Sequence, residues 1–197
     1  MSSSSARSRG CACGRALLAS CALLVSLADP SQGQLRLTQQ DALRLAFPEP
    51  AIIERHTAFL DDVDIAAARD LAGVGVELAS RVVTYYTGVG DDGEPLGAAY
   101  FDSHLVRTLH EVLMIVVTPD DRIDRIEVLR FDEPPEYLVP DDWIAQLEGR
   151  ALDGELSLKG AVVNMTGATL TSEAIVAAGR RVLSVHTVIG PFDRGTE

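Results

Sequence analysis

Cysteine is scarce in this chain, and its placement excludes most thiol chemistry. All three cysteines fall within the first 21 of the 197 residues. A chain that begins after residue 28 therefore has no thiol for a disulfide, a catalytic thiolate, a zinc site or an iron–sulfur cluster. Such a domain depends on its hydrophobic core for stability.

Positive charge is scarce as well. Seventeen basic residues, of which only Lys159 is a lysine, stand against 29 acidic ones, so the formal net charge is −12. Nucleic acids are bound by clustered lysine and arginine, so this composition argues against a nucleic-acid partner. Hydrophobic residues make up 47% and charged residues 23% of the chain, which is typical of a folded globular domain.

The first 28 residues have the pattern of an export signal. Three arginines and no acidic residue accompany the apolar run at 16–28, and Ser26-Leu27-Ala28 supplies small residues for a cleavage site. The run is shorter than the ~20 residues that a membrane-spanning helix needs. We expect cleavage before Asp29, which leaves a net charge of −15 because three basic residues and no acidic ones are removed.

Two other interpretations of this segment stay open. The first is an uncleaved signal that serves as a membrane anchor. The second is lipidation, because Leu18-Ala19-Ser20-Cys21 has the form of a lipoprotein box. Most of the apolar run follows Cys21, whereas a lipoprotein box normally ends that run, so lipidation ranks below simple cleavage.

Beyond the signal, the sequence predicts strands in the middle of the chain and helices on either side. The segment 111–118 is almost entirely apolar, which indicates a central strand buried on both faces. This arrangement predicts an α+β fold with a central, mostly antiparallel sheet. The pattern predicts helices at 38–47, 61–71, 141–147 and 172–188, and strands at 52–60, 81–87, 96–102, 111–118 and 123–131.

Cap and stripe residues can also be predicted for these helices. Asp61 or Asp62 is expected to cap the second helix, and Asp141 or Asp142 the third. On the last helix we expect an apolar stripe facing the core, while Arg180, Arg181 and Ser184 face away. The predicted stripe consists of Ile175, Ala178, Val182, Val185 and Ile189.

The segment 88–93 satisfies the string GxGxxG without its structural context. A dinucleotide-binding fingerprint follows a strand and opens a helix that holds the pyrophosphate. Here Glu94-Pro95 and a second predicted strand follow, and three acidic residues lie where phosphate would approach. A hairpin turn is therefore the better interpretation.

The histidines do not indicate a metal site. They show no tight ligand spacing, so we interpret each of them as a structural residue. They are His56, His104, His110 and His186.

The segment 164–172, with the sequence NMTGATLTS, lies directly before the last predicted helix. Its hydroxyls and Gly167 open onto a helix N-terminus, whose free N–H groups and positive dipole end suit a phosphate. Thr171 or Ser172 is expected to cap the helix. From the residues alone, a capped helix start is the favoured interpretation and a phosphate site is the alternative.

The same segment resembles a known motif. Thr166-Gly167-Ala168-Thr169 is similar to the S/T-G-A-T motif of the FMN-binding domain family, which includes the flavin-carrying subunits of the Rnf complexes and of the sodium-translocating NADH:quinone oxidoreductase. In that family the last threonine carries FMN through a phosphoester bond, formed by an extracytoplasmic flavin transferase that uses FAD. The resemblance implies that Thr169 carries FMN, with cofactor contacts from Thr166, Gly167, Ala168 and Thr171.

The resemblance extends upstream, over roughly residues 80–190. The family has a strand, the segment E-T-P-G-L-G, a tryptophan-containing helix and a Gly-Lys step, and this chain has Trp143 and Gly149-Arg150 in the same order. Glu133 and Pro135 match E-T-P-G-L-G and are implied flavin contacts, whereas Pro134 and 136–138 differ. The family aspartate six residues before the modified threonine is replaced by Val163.

The resemblance implies an exported flavoprotein that carries FMN, covalently on Thr169, and transfers electrons at the outer face of the cytoplasmic membrane or in the periplasm. Its implied partners are the flavin transferase and subunits of a membrane redox complex, and it would be an electron-transfer component rather than a stand-alone catalyst. The predicted segments are a signal at 1–28, N-terminal helices and a strand at 29–79, the FMN-binding domain at 80–190 and a tail at 191–197.

Two alternatives and one further residue stay open. The first alternative is a module that binds or senses FMN without a covalent bond, and the second is a flavin-free accessory subunit of a membrane redox complex. Arg107 is one of few cations and could contact the flavin carbonyls or phosphate, although a salt bridge to a nearby acid is the favoured role.

Overall fold

The computed structural model describes residues 34–78 and 80–192, so the predicted signal at 1–28 lies outside the described residues. Two short 3-10 helices, Pro135–Tyr137 and Ala145–Leu147, connect the last strand to the final helix. The remaining elements, in chain order, are β1 (Gln34–Leu35), α1 (Gln39–Ala46), β2 (Ile52–Phe59), α2 (Asp62–Ala72), β3 (Val82–Val89), β4 (Pro95–Leu105), β5 (His110–Val117), β6 (Ile123–Phe131), α3 (Asp141–Ile144) and α4 (Thr169–Ile189).

The strands form one antiparallel sheet with the order β1-β6-β5-β4-β3-β2. Strands β2 to β6 follow one another in space as they do in sequence, and the short β1 adds to the outer side of β6. The predicted fold class, α+β with a central antiparallel sheet, is confirmed.

Strand β5 lies at the centre of the molecule and is buried on both faces, as predicted. Leu113, Ile115 and Val117 point into the core that includes α4, and Met114 and Val116 point into a second core on the opposite face. Each of these five side chains is at most 1% exposed. A strand with no polar face requires a helical layer on each side of the sheet.

Different helices supply those two layers. Helices α2 and α4 pack against each other, and α4 buries Ile175 and Val182 against the first face of the sheet. Helix α1 covers the second face with Ala42, Leu43 and Phe47. The N-terminal elements therefore share the sheet and the cores with the later part of the chain.

The first two helices begin where their cap residues predict. The Thr38 hydroxyl accepts a hydrogen bond from the Asp41 N–H at 3.2 Å. Asp61 caps α2 by accepting from the N–H groups of Val63 and Asp64, and the Asp64 side chain accepts from the Asp61 N–H in return. Side-chain oxygens satisfy donors that the helix itself leaves unpaired.

The prediction for the start of the last helix was wrong. Helix α4 begins at Thr169 rather than Ser172, and its N-cap residue is Ala168. The Thr171 hydroxyl donates to the Tyr137 carbonyl at 2.6 Å, and the Ser172 hydroxyl donates to the Ala168 carbonyl at 3.0 Å. Because both hydroxyls donate to backbone carbonyl groups, neither residue caps the helix.

Two further expectations were also wrong. Ser184 does not face away from the core but is fully buried, and its hydroxyl donates to the Arg181 carbonyl at 2.8 Å, so its polar group is satisfied within the helix. Neither Asp141 nor Asp142 caps α3, because both lie inside its first turn and Pro140 occupies the N-cap position.

The hairpin interpretation of the GxGxxG string is confirmed, since β3 and β4 pair directly across it. The structure also explains its first glycine. A Cβ atom at Gly88 would overlap the side chain of Phe47, which packs from α1 onto the sheet. Gly88 therefore makes room for an aromatic ring rather than for a phosphate.

We expect Gly88→Ala to lower the free energy of unfolding by about 1–3 kcal/mol, because the added methyl overpacks the contact with Phe47. Urea denaturation of the two proteins measures the difference. Gly154→Ala is the matched control, because nothing lies within 4 Å of its added Cβ. Equal stability of Gly88→Ala and the unaltered protein would contradict the packing role.

Candidate functional site

The loop before α4 exposes the start of the helix. Gly167 has φ of 93°, in the left-handed region that other residues rarely adopt, and Ala168 follows as the N-cap residue. Alanine has no side-chain acceptor, and no side-chain hydrogen bond caps this end of α4. The first N–H groups of the helix, at its positive dipole end, are thus available to an anion.

Thr169 is the first residue of α4 and is half-buried. Its hydroxyl donates only a long 3.4 Å hydrogen bond to the Met165 carbonyl. This distance lies beyond the usual range for a hydroxyl donor, so the bond is weak. The Thr169 hydroxyl is therefore accessible to chemistry at the helix start.

A cleft of about 190 Å³ lies against this helix start. Arg107, from the loop between β4 and β5, and Tyr137, from the first 3-10 helix, form its other side. The Arg107 Cζ atom lies 4.4 Å from the centroid of the Tyr137 ring, a cation–π contact that orients the guanidinium. The remaining lining residues are Gly167, Ala168, Thr169, Leu170 and Thr171.

Glu133 holds the loop that carries Arg107. Its Oε1 atom accepts hydrogen bonds from the backbone N–H groups of Thr108 at 2.7 Å, Leu109 at 2.9 Å and Arg107 at 3.2 Å. The bonds from Thr108, Leu109 and Arg107 lower the pKa of the Glu133 carboxyl from its ordinary value, even though the side chain is only 7% exposed. One carboxylate oxygen thereby fixes the position of Arg107 over the cleft.

A second anchor lies upstream of Thr169. The Trp143 indole N–H donates to the Val163 carbonyl at 2.6 Å, and the Val163 N–H donates to Gln146 Oε1 at 2.9 Å. The Val163 side chain itself is 70% exposed. The backbone of the loop is therefore fixed at Val163, and the side chain there points to solvent.

The structure brings some of the expected cofactor residues together and leaves others apart. Gly167, Ala168, Thr169 and Thr171 line the cleft, although the Thr171 hydroxyl is engaged by the Tyr137 carbonyl. Three more are not among the residues that line it. Thr166 and Pro135 are exposed and Glu133 acts through the Arg107 loop, so those three lie beside the cleft.

Two residues that line the cleft, Tyr137 and Leu170, were not predicted as part of the site. Tyr137 lies in the segment 136–138 that differs from E-T-P-G-L-G, and Leu170 lies within the segment 164–172. For Arg107 the favoured role was a salt bridge, but its guanidinium lies on the Tyr137 ring at the cleft. The sequence does give a signal for Arg107, because it is one of few cations in an acidic chain and lies close to the end of a predicted strand.

A buried chain of charges lies beneath the same hairpin. Asp102 accepts from Arg181 at 2.7 and 2.8 Å, His104 Nδ1 lies 2.7 Å from Asp102, and His104 Nε2 lies 3.1 Å from Glu111. With His104 protonated, two cations alternate with two carboxylates and the set is neutral. Such a set tolerates burial because each ion is paired.

The pKa values follow from these contacts. Burial opposes the ionisation of Asp102, but the hydrogen bonds from Arg181 and His104 outweigh it and lower its pKa to about 2. Burial also opposes the charged form of His104, yet its bonds to Asp102 and Glu111 raise its pKa to about 9. Burial raises the pKa of Glu111, whose Oε1 has no hydrogen-bond partner among the described residues.

The other histidines are not grouped for metal binding. His186 is buried, with Nδ1 2.9 Å from the Tyr100 hydroxyl and Nε2 3.2 Å from Asp121. His56 Nε2 lies 2.7 Å from the Thr87 hydroxyl, and His110 is exposed. No group of three potential metal ligands occurs among residues 34–78 and 80–192.

A weakly bonded hydroxyl at an open helix start, faced by an arginine and an aromatic ring, defines a site for a phosphate-bearing aromatic cofactor. Residues 110–184 match the model of the FMN-binding domain family. No curated protein and no solved structure matches the chain. FMN is the cofactor that the family indicates.

The residues present fit one end of FMN. The Arg107 cation, the open N–H groups and the Thr169 hydroxyl complement a phosphate, and the Tyr137 ring offers an aromatic surface next to it. The cleft is smaller than the ~300 Å³ at which small-molecule pockets usually begin. It therefore accommodates the phosphate end rather than the whole cofactor.

We expect Glu133→Ala to release the loop at 107–109, because its three N–H groups lose their common acceptor. Amide hydrogen exchange in this loop should accelerate roughly tenfold, the effect of losing about 1.4 kcal/mol of local stability. Glu136→Ala removes an exposed acid nearby and is the control. Equal exchange rates in both variants would contradict the anchoring role.

The His104 network predicts a loss of stability in alkaline solution. Because the pKa of His104 rises from 6.5 to about 9 on folding, its contribution is complete below pH 6.5 and is lost as the pH rises to 9. The expected decrease in unfolding free energy over this window is about 3 kcal/mol.

Urea denaturation between pH 6 and 9.5, in steps of about half a unit, measures this decrease. His104→Gln should flatten the profile, whereas His110→Gln removes an exposed histidine of the same hairpin and should leave it unchanged. A decrease that persists in His104→Gln would assign the effect to another group.

Proposed function

We propose that this chain is an exported flavoprotein that carries FMN covalently on Thr169 and relays electrons at the outer face of the cytoplasmic membrane. The observation that carries the proposal is the cleft in which Arg107, Tyr137 and the start of α4 surround the Thr169 hydroxyl. Export rests on the basic and apolar pattern of residues 1–28. In the described ranges no helix has both the length and the apolar character needed to cross a membrane.

The attachment chemistry needs only a hydroxyl from this chain. The Thr169 oxygen attacks the phosphorus on the FMN side of the pyrophosphate of FAD, the bond from that phosphorus to the bridging oxygen breaks, AMP leaves and the hydroxyl proton is released. A flavin transferase supplies the catalytic groups for this transfer. Arg107 and the open N–H groups of α4 then stabilise the remaining negative charge of the phosphodiester.

The composition of the cleft supports a cofactor carrier rather than an enzyme with its own acid–base catalyst. Its polar side chains are Arg107, Tyr137, Thr169 and Thr171, and no carboxylate or imidazole of the described residues lines it. When bound, FMN supplies the electron-transfer chemistry. The protein supplies attachment, orientation and a cation, and a membrane redox complex is the partner that would exchange electrons with it.

A covalent bond also suits an extracytoplasmic site. A cofactor that dissociates outside the cytoplasm is lost by dilution, whereas a phosphoester to Thr169 retains it without a deep pocket. The small volume of the cleft supports the same conclusion, because about 190 Å³ cannot enclose a whole flavin.

The specific alternative is non-covalent binding of FMN. Val163 replaces the family aspartate, and its exposed side chain offers no carboxylate that a transferase could recognise. The same cleft would then hold the phosphate of FMN by Arg107 and the helix start alone.

The deciding experiment is intact mass spectrometry of the full chain, coexpressed with an FAD-dependent extracytoplasmic flavin transferase. We expect a mass that corresponds to a chain beginning at Asp29 plus one FMN, and flavin fluorescence that persists on a denaturing gel. Thr169→Ala should abolish both flavin signals. Thr187→Ala alters an exposed threonine at the far end of the same helix and should retain them.

Each other result rejects part of the proposal. An adduct that survives Thr169→Ala places FMN on another residue. Flavin that is released on mild denaturation, with an unmodified chain, favours non-covalent binding. A colourless protein that copurifies with membrane subunits favours a flavin-free accessory subunit.

A further inference from the structure

Strand β2 forms a long open edge of the sheet. It is the last strand in the order, and its register with β3 runs without interruption from Ile52 opposite Val89 to Phe59 opposite Val82. No other described strand pairs with it on its outer side. Its backbone therefore offers a free ladder of hydrogen-bonding groups.

The hydrogen bonds show which groups are free. The Leu60 N–H, directly after β2, donates to the Arg81 carbonyl at 2.8 Å in the same register. In an antiparallel pair, residues that bond to one neighbour alternate with residues that face the other side. Even-numbered residues of β2 thus bond to β3, and the N–H and C=O groups of Ile53, Arg55, Thr57 and Phe59 point outward.

The edge has few of the features that normally prevent association. Edge strands are usually protected by charged side chains, proline or a bulge. Between Ile52 and Phe59, β2 has no lysine, proline or bulge, and its two charged residues, Glu54 and Arg55, are adjacent and of opposite sign. It exposes apolar side chains instead, since Ile52 is 61% and Phe59 is 77% exposed. Such an edge favours pairing with another strand.

We propose that β2 pairs with β2 of a second copy of this chain, so that two sheets join into one across a two-fold axis at His56. In this antiparallel register Ile53 lies opposite the partner's Phe59, and Arg55 lies opposite the partner's Thr57. Both pairs occur twice because of the symmetry. The outward groups of the four odd-numbered residues then form about eight hydrogen bonds.

The charge of β2 and the register of the pairing favour a second copy of this chain as the partner of this edge. Within a chain of net charge −12, β2 contains one acid, Glu54, and one base, Arg55, so two copies meet along a neutral strand. An axis at Arg55 would oppose two arginines, and an axis at Thr57 would leave Ile53 without an apolar partner. The axis at His56 avoids both defects and places Glu54 diagonal to the partner's His56.

The solution mass of the exported chain, which begins at Asp29 and has no cysteine, tests the proposal. Sedimentation analysis over a range of concentrations should show a monomer–dimer equilibrium. Phe59→Glu should shift it to monomer by introducing two charges, and Thr57→Pro should do the same by removing an outward N–H without removing a bond to β3.

Val74→Glu is the matched control, because it adds the same charge at a fully exposed apolar residue outside β2 and should leave the dimer intact. Circular dichroism and thermal unfolding check that each variant is folded. A monomeric unaltered protein, or a folded Phe59→Glu dimer, overturns the proposal.

A crosslink tests the register independently. His56 and the partner's His56 form a non-hydrogen-bonded pair at the axis, with Cα atoms about 4.5 Å apart, which a disulfide can bridge. Under mild oxidation, His56→Cys should give a covalent dimer, whereas the unaltered chain should not.

Glu54→Cys is the register control, since it lies opposite the partner's Ala58 and about 13 Å along the strand from the partner's Glu54. Efficient crosslinking of Glu54→Cys, or none of His56→Cys, would reject the axis at His56.

Discussion

The structure depends on the burial of β5 on both faces. A strand whose side chains alternate between two apolar cores cannot tolerate water on either side, so α1 must cover one face and α4 the other. The length and direction of α4 are set by that packing, from Ile175 to Val185. The start of α4, and with it Thr169, is therefore placed by the core two turns further along the helix.

Local sequence preferences predicted most of the fold and only part of the site. Turns, caps and apolar spacing located the strands and the first two helices, because each signal lies within a few residues. The start of α4 was predicted three residues late, since hydroxyl residues usually cap helices and here Thr171 bonds to Tyr137 instead. The hydrogen bonds between Glu133 and the loop of Arg107 join residues 26 positions apart, so no local sequence pattern predicts them.

Cations are few in this chain, and three of them have defined tasks at one hairpin. Arg181 pairs with Asp102 beneath the β4–β5 hairpin, and Arg107 lies above the cleft at the tip of that hairpin. His104 adds a second buried positive charge between Asp102 and Glu111. The ion pairs of Asp102, His104 and Glu111 and the hydrogen bonds of Glu133 thus hold the hairpin in place. As a result, Arg107 is kept facing the start of α4.

The ionisation of Glu133 and Asp102 has a consequence for the environment that the molecule can withstand. In the folded protein both carboxylates keep their charge below the pH at which ordinary carboxyls are protonated. The ion pairs that His104 forms with Asp102 and Glu111 weaken above neutrality, because the imidazole then loses its proton. A lowered carboxyl pKa contributes stability that is lost in strongly acidic solution, and the raised pKa of His104 contributes stability that is lost above pH 6.5. The fold and the loop that covers its cleft are therefore most stable in mildly acidic solution. A pH between the ordinary glutamate pKa of 4.5 and the ordinary histidine pKa of 6.5 is accordingly the better choice for purification and storage.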